Sequence, residues 1–101
     1  MSEIKFDEMK GKGVLSQDGR EFGSVDGLVI DHAAWHVTAL VVKLERELLE
    51  QFGMKKPMFG TTTIELNVDL VSGIGDKVIL HKSLADLTDI YRDKGKSVDE
   101  G

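Results

Sequence analysis

The chain has 101 residues, which predicts one domain, and its 41% hydrophobic and 31% charged residues are typical of a soluble globular protein. It has no cysteine, which excludes disulfides and thiolate metal sites. The formal net charge of −5 opposes nonspecific binding to nucleic acid. No apolar run approaches the roughly 20 residues that span a bilayer, so we expect a cytoplasmic protein without membrane insertion.

The N-terminal part of the chain predicts a hairpin after a polar lead-in at residues 1–10. Val14–Leu15 forms the first strand, and Asp18-Gly19 supplies the turn, because such a turn needs a residue with positive φ. Gly23 and Gly27 lie inside the return strand. Glycine within a strand marks a bulge or a bend, as a small barrel requires.

Two apolar runs, Leu28–Asp31 and Val37–Lys43, predict the next two strands. The segment between them lacks glycine, so we expect a longer loop in which Trp35 folds back onto the barrel. The second run is apolar on both faces. One face can fill the barrel, and the other needs a cover.

The insert at residues 44–60 changes period. Its apolar residues recur at helical spacing and predict a short helix that ends at Gly53. The apolar positions of this helix are Leu44, Leu48, Leu49 and Phe52. A loop follows, and it carries Met54, Met58 and Phe59 on a segment that we expect to be exposed.

The C-terminal half predicts two further strand regions. Ile64, Leu66 and Val68 alternate with polar residues, which indicates a half-buried strand. A glycine-rich bend at Gly73–Gly75 precedes a strand over Lys77–His81.

A helix over residues 83–92 closes the predicted domain, which spans residues 11–92. Ser83 is its N-cap candidate. One apolar stripe follows along the helix, and it consists of Leu84, Leu87, Ile90 and Tyr91. Residues 93–101 are polar, and we expect them to form a disordered tail.

These elements together favour a mainly β fold. Five or six short strands with glycine-marked bends predict a small antiparallel β-barrel, closed or partly open, with one or two short helices.

The order of the segments resembles the PRC-barrel family. The matching stretches are GVLSQDGREFGSVDGLVID, then VTALVV, then VDLVSGIGDKVIL, and the resemblance covers about residues 11–81. The family includes the photosynthetic reaction-centre H subunit, a ribosome-maturation factor and small free-standing archaeal proteins, and this chain is similar to the last type. The segment HAAWH and the insert at residues 44–60 depart from the family pattern.

The resemblance implies a docking scaffold without shared catalytic residues. Its members bind other macromolecules or self-associate, and some of the archaeal type are associated with cell division. The resemblance therefore implies a non-enzymatic adaptor, and an accessory module for RNA processing or ribosome maturation is the alternative.

Chemistry-bearing residues give weak signals. His32 and His36 flank a short loop beside Asp31, so two histidines and a carboxylate are the candidates for a metal site. The favoured interpretation is that they are polar surface residues around a packed Trp35. No cysteine or Gly-x-Ser-x-Gly elbow supports nucleophilic catalysis. The SGIGDK segment precedes an apolar run rather than a helix, so it predicts a barrel bend and not a phosphate site. We expect no enzymatic activity and no cofactor.

The apolar residues give the stronger hypothesis. We expect a two-fold homodimer, because large exposed apolar patches are rare on monomers. The predicted interface consists of Leu40, Val42, Leu44, Leu48, Leu49 and Phe52. In the alternative, the C-terminal helix covers this face within one chain. An unidentified protein partner would contact the loop residues Met54, Met58 and Phe59, since Met and Phe adapt to irregular surfaces.

Overall fold

The structure is a computed structural model that describes residues 3–98, with side chains described as far as residue 92. The elements run in the order α1 (Phe6–Met9), β1 (Gly13–Leu15), β2 (Glu21–Asp31), β3 (His36–Leu44), 3₁₀ helices at Arg46–Leu48 and Glu50–Phe52, β4 (Thr63–Asn67), a 3₁₀ helix at Val68–Leu70, β5 (Val71–Ile74), β6 (Val78–Leu80) and α2 (Leu84–Val98).

The six strands form one sheet in the order β4-β3-β2-β1-β6-β5. The sheet does not close, since β4 and β5 lie at its two edges, and the chain passes from one edge to the other through Val68–Leu70. The predicted mainly β, partly open barrel is therefore confirmed at this level. One pairing departs from the antiparallel prediction, because β1 and β6 run parallel. They are far apart in sequence, so no hairpin turn dictates their relative direction.

The β2–β3 hairpin is the longest element of the sheet. Its pairing extends to Asp31 and His36, whereas the β3–β4 pairing already ends at Ala39 and Asn67. The end of the hairpin that carries the turn therefore projects beyond β4 as a two-stranded ribbon.

A turn of four residues, 32–35, joins β2 to β3, so the predicted connection longer than a tight two-residue turn is confirmed. The Trp35 amide donates a hydrogen bond of 2.6 Å to the Asp31 carbonyl. Trp35 adopts φ 57° and its side chain is 77% exposed. The prediction that Trp35 folds back onto the barrel is wrong, because this closed turn carries the side chain away from the sheet.

The insert after β3 forms two 3₁₀ helices instead of the predicted α-helix. Leu44 still belongs to β3, so only a few residues remain before Gly53, which ends the segment with φ 75°. A segment this short is costly to nucleate as an α-helix. In a 3₁₀ helix residues i and i+3 share a face, and the buried pair Leu49 and Phe52 has this spacing.

Helix α2 covers the core beside β4. Leu84, Leu87 and Tyr91 are buried, as the predicted stripe requires. The Phe52 ring lies 5.8 Å from the Phe22 ring and 6.1 Å from the Tyr91 ring, measured between centroids. This row of three rings links α2 to the sheet, because Tyr91 belongs to α2, Phe52 to the second 3₁₀ helix and Phe22 to β2.

The N-terminus of α2 is capped as the sequence predicts, because the Ser83 hydroxyl accepts a hydrogen bond of 3.2 Å from the Asp86 amide. The helix runs six residues beyond the predicted end at 92, since a polar segment without proline can extend an existing helix at low cost. Residues 99–101 of the predicted tail lie outside the described residues. Within residues 3–98, no helix combines the length and the apolar content that crossing a bilayer requires.

Candidate interaction surfaces

The six residues predicted to form a dimer interface lie inside the chain. Five of them are at most 5% exposed, and Leu48 packs partly buried against the same core. The five buried members are Leu40, Val42, Leu44, Leu49 and Phe52. A surface for a second copy cannot be built from side chains that are already covered, so this assignment is corrected.

The sheet register gives the physical reason. Val42 is paired with Val25 on one side and with Ile64 on the other, and all three are buried. Alternation along β3 separates two sets of residues but does not say which set faces inwards. The set that contains Leu40 and Val42 fills the barrel, and α2 closes over the insert, as in the alternative stated above.

The loop between the second 3₁₀ helix and β4, which we call the distal loop (residues 54–62), carries the most exposed apolar side chains of the described chain. Met58 and Phe59 are each 85% exposed. The loop is anchored at both ends. The Met54 amide donates to the Leu49 carbonyl, with an N···O distance of 2.9 Å, and the Leu44 amide donates to the Thr62 carbonyl, also at 2.9 Å.

The three predicted partner-contact residues therefore divide into two kinds. Met54 is half-buried and packs against the core, so it positions the loop. Met58 and Phe59 are free to contact another molecule. Lys55 and Lys56 lie exposed on the same loop.

The candidate metal ligands lie exposed around the hairpin turn. The Asp31 side chain accepts hydrogen bonds from the Ala33 and Ala34 amides, at 3.0 and 3.3 Å, so it stabilises the turn. His32 and His36 are exposed beside it. In the described part of the chain, no three His, Cys, Asp or Glu side chains group closely enough to hold a metal ion.

An apolar groove of about 380 Å³, which no sequence pattern predicted, opens at the unclosed side of the sheet. Its walls come from the α1 region, the β2–β3 hairpin and the β5 region. The lining residues are Ile4, Phe6, Met9, Leu28, Val37, Leu40, Val68, Val71 and Ile74. All nine are apolar, although Ile4, Phe6 and Ile74 remain 39–42% exposed.

The groove could not be found from one segment, because three distant parts of the chain build it. The available signal was that Ile4 and Phe6 stand in an otherwise polar N-terminal stretch. A second signal was Ile74, a large apolar residue within the glycine-rich bend. Neither position indicates a groove until the sheet brings them together.

Two titratable groups have structural roles. The Asp18 side chain accepts hydrogen bonds from the Ser16 hydroxyl and from the Leu84 amide, the latter at 3.2 Å. The Ser16 hydrogen bond, more than the Leu84 amide, lowers the pKa of Asp18 below its ordinary value. Burial, with a contribution from the Glu65 charge, raises the pKa of Tyr91 to about 12.

Two exposed apolar surfaces, the distal loop and the hairpin turn that carries Trp35, lie at opposite ends of β3. Lys43 pairs with Thr63 beside the distal loop, whereas His36 begins the strand at the hairpin turn. A strand rises about 3.4 Å per residue, so the two surfaces are separated by roughly 25–30 Å.

Comparison with known protein families finds a match over most of the chain. The model of the PRC-barrel domain family matches residues 1–87. A search of curated proteins returns no match to the chain.

Proposed function

The chain belongs to the PRC-barrel family, since the family model covers most of its length, and from this premise we propose that it is a non-enzymatic adaptor that binds another protein through the distal loop. Domains of this family often serve as interaction modules. The observation that carries the proposal is the 85% exposure of both Met58 and Phe59 on a loop fixed at its two ends.

The energetics favour this loop as a contact. Burying a Phe or Met side chain contributes roughly 1.5–3 kcal/mol, so a partner that covers both gains a substantial part of its binding energy there. The anchored ends reduce the entropy that the loop loses on binding. Neither side chain contributes to the core, so their exposure serves no purpose in folding.

The absence of enzymatic activity is part of the proposal. The sequence has no cysteine and no nucleophile elbow. The two groups with a shifted pKa are both used structurally. The Asp18 carboxyl accepts a hydrogen bond from the first residue of α2, and the Tyr91 hydroxyl donates one to the backbone carbonyl of Glu65. Both groups are engaged in holding the fold, which supports a binding role.

The proposal is tested by crosslinking followed by affinity measurement. A photoreactive phenylalanine analogue replaces Phe59, and the same analogue replaces Ile79, which is 43% exposed on the outer face of the sheet, as the control. We expect a protein to be captured from position 59 and not from position 79.

The purified captured protein is then titrated with variants. Phe59→Ala should weaken its binding at least about tenfold, as expected for a hot-spot aromatic, while Ile79→Ala leaves binding unchanged. Equal binding by the wild-type protein and Phe59→Ala would refute the assignment of the distal loop.

The alternative function, an accessory role in RNA processing or ribosome maturation, follows from the resemblance to a ribosome-maturation factor, and the exposed pair Lys55 and Lys56 beside Met58 is where RNA would bind. It predicts RNA binding that weakens steeply with salt and that Lys55→Glu with Lys56→Glu abolishes. The net charge of −5 argues against it. A cytoplasmic location, an archaeal origin and a role in cell division stay predictions from the sequence.

A further inference from the structure

We propose that the hairpin turn and the apolar groove form a two-fold self-association surface, in which Trp35 of each copy enters the groove of the other. This inference names the surface for the self-association that the family resemblance implies. It is independent of the distal loop, so its failure would leave partner binding at Phe59 untouched.

The first observation is the way in which Trp35 is displayed. The side chain is 77% exposed and does not line the groove of its own chain. Its φ of 57° is uncommon for a residue with a large side chain, and Gly or Asn would adopt it at lower cost. Hydrogen bonds from three amides to Asp31 hold the turn in this conformation. The folded chain therefore holds Trp35 in an unfavourable backbone conformation that exposes its indole ring to solvent.

The second observation is the fit between that ring and the groove. A cavity of roughly 150 Å³ is large enough to bind benzene, so the groove of about 380 Å³ can hold an indole ring. The walls of the groove offer the ring apolar contacts. An adjoining hollow shares Ile4 with the groove, and its lining adds the polar side chains of Glu3, Lys5 and Glu8. An apolar centre with a polar rim is the usual anatomy of a protein interface.

The third observation identifies a second copy as the occupant. The same hairpin carries the protruding Trp35 and, a few residues away, the groove-lining Leu28 and Val37. Ile30 is the cross-strand partner of Val37 and is 50% exposed on the same side of the hairpin. A two-fold axis next to the hairpin then places each ring over the other groove, and one contact satisfies both copies.

The exposed area is appropriate for a dimer. Ile4, Phe6, Ile30, Trp35 and Ile74 are between 39% and 77% exposed around this one site. A stable interface buries roughly 800 Å² per partner, and an aromatic side chain alone buries roughly 150–250 Å². These five residues supply an apolar centre for such an interface, while the net charge of −5 on each copy opposes their long-range attraction.

The experiment uses the full chain and its single tryptophan, Trp35. Sedimentation or light scattering is measured from about 1 to 500 μM, a range that covers the weak and moderate affinities of transient association. We expect the mass to rise from 11.1 kDa to twice that value, and the Trp35 emission to shift to shorter wavelength over the same concentrations. Raising the sodium chloride concentration should not weaken the association.

Matched variants locate the surface. Ile74→Lys places a charge in the groove, and Ile79→Lys places the same charge on the outer face, at almost equal exposures of 42% and 43%. The first should raise the dimer dissociation constant at least about tenfold, and the second should leave it unchanged. Trp35→Asn should have the same effect as Ile74→Lys while it preserves or raises the melting temperature, because Asn tolerates the positive φ.

Four results would overturn the proposal. The first is a constant mass of 11.1 kDa, and the second is a dimer that Ile74→Lys and Trp35→Asn do not weaken. The third is a mass that grows beyond the dimer. The fourth is a monomer whose groove binds the apolar dye 8-anilinonaphthalene-1-sulfonate, with the binding abolished by Ile74→Lys. The third would indicate open head-to-tail chains, and the fourth a different apolar occupant.

Discussion

Gly23 is a residue at which the β2–β3 pairing leaves no room for a side chain. A Cβ atom there would meet the carbonyl oxygen of Lys43 and would lie 2.8 Å from Val42 Cγ1. Gly27 lies four residues further along the same strand, where the nearest atom to an added Cβ is Val41 Cβ at 3.5 Å. The two glycines look alike in the sequence, but only the first is required by close packing.

This difference predicts opposite outcomes for one substitution. Gly23→Ala should lower the free energy of unfolding by roughly 3 kcal/mol, at the upper end of the cost of overpacking, because the obstacle is backbone. Gly27→Ala should change it by less than about 1 kcal/mol, in the stabilising direction, because alanine restricts the unfolded chain. Chemical denaturation measures both values. Similar losses for the two variants would show that the strand register differs from the one described.

Asp18 acts at the same scale but joins two distant parts of the chain. It lies in the first hairpin turn and accepts a hydrogen bond from the amide of Leu84, the first residue of α2. The Gln17 amide also donates to the Lys82 carbonyl, with an N···O distance of 2.7 Å. The turn is thereby fixed to the start of the helix, where a negative charge is favourable.

The lowered pKa of Asp18 gives this contact a defined pH dependence. Because the folded pKa lies below the ordinary 3.8, the stabilisation is present above pH 3.8 and is lost as the pH falls through the folded value. Asp18→Asn should therefore melt at a lower temperature than the wild type at pH 7, and the difference should shrink in acid. Asp76→Asn, an equal charge change in another turn, is the control and should change stability by less than about 0.5 kcal/mol. A difference that persists unchanged well below the folded pKa would contradict this account.

At the scale of elements, α2 contacts the edge strand of the sheet through one side chain. β4 is an edge strand, and unpaired edges invite pairing with other chains. The Tyr91 hydroxyl donates a hydrogen bond to the Glu65 carbonyl within β4. The helix thus packs on the core, and its Tyr91 side chain satisfies one carbonyl oxygen of the edge strand.

The alkaline behaviour of Tyr91 tests this contact. Its pKa is raised to about 12 in the folded state, so the stabilisation is complete below pH 10 and is lost as the pH rises from 10 to about 12. Tyr91 is the only tyrosine, so ultraviolet absorbance during an alkaline titration reports its ionisation directly. We expect a midpoint near 12 in the folded chain and near 10 in urea.

The Phe variant provides the control for that titration. Tyr91→Phe should lower the free energy of unfolding by about 0.5–1.5 kcal/mol at pH 7, because the Glu65 carbonyl loses its donor. Its stability should then decline less steeply above pH 10 than that of the wild type. A native-state midpoint of 10 in the titration would mean that the hydroxyl is exposed and that Tyr91 does not join α2 to β4.

Elements with a local cause were predictable from the sequence. The Asp18-Gly19 turn, the alternation of Ile64 and Leu66 and the Ser83 cap each depend on neighbouring residues, and each is found in the structure. The inward face of β3 was not predictable, since its two faces are equally apolar and only the neighbouring strands decide between them. The position of Trp35 was missed because the turn closes through hydrogen bonds to Asp31 in spite of lacking glycine.

At the scale of the whole molecule, the sheet separates two exposed apolar surfaces. The distal loop and the hairpin turn lie at the two ends of β3, roughly 25–30 Å apart at about 3.4 Å per residue. Strand β3 is paired along its length with β2 and over five positions with β4, so it forms a stiff spacer between them. A chain that pairs with itself at one end would present the two distal loops of its dimer at a fixed separation.

This arrangement predicts an avidity effect that neither surface alone would produce. The dimer should bind a dense surface of the captured partner through both loops, and two linked sites can raise apparent affinity by roughly 10²–10⁴. Trp35→Asn should therefore bind such a surface at least about 100-fold more weakly than the wild type. In solution, where each loop binds one free partner molecule, the two proteins should have the same affinity per site within about twofold.

The comparison between immobilised and free partner separates the two surfaces. Calorimetry with free partner measures binding to the distal loop alone. Phe59→Ala should weaken binding of the free partner and of the immobilised partner by the same factor per loop. Trp35→Asn should affect the immobilised partner only, because it removes the link between loops and not the loops themselves. Sites this far apart should also show additive effects on stability, within about 0.5 kcal/mol, in the double variant. If Trp35→Asn weakened binding of the free partner as well, the hairpin turn would belong to the partner-binding site. The assignment of partner binding to the distal loop and of self-association to the hairpin turn would then be wrong.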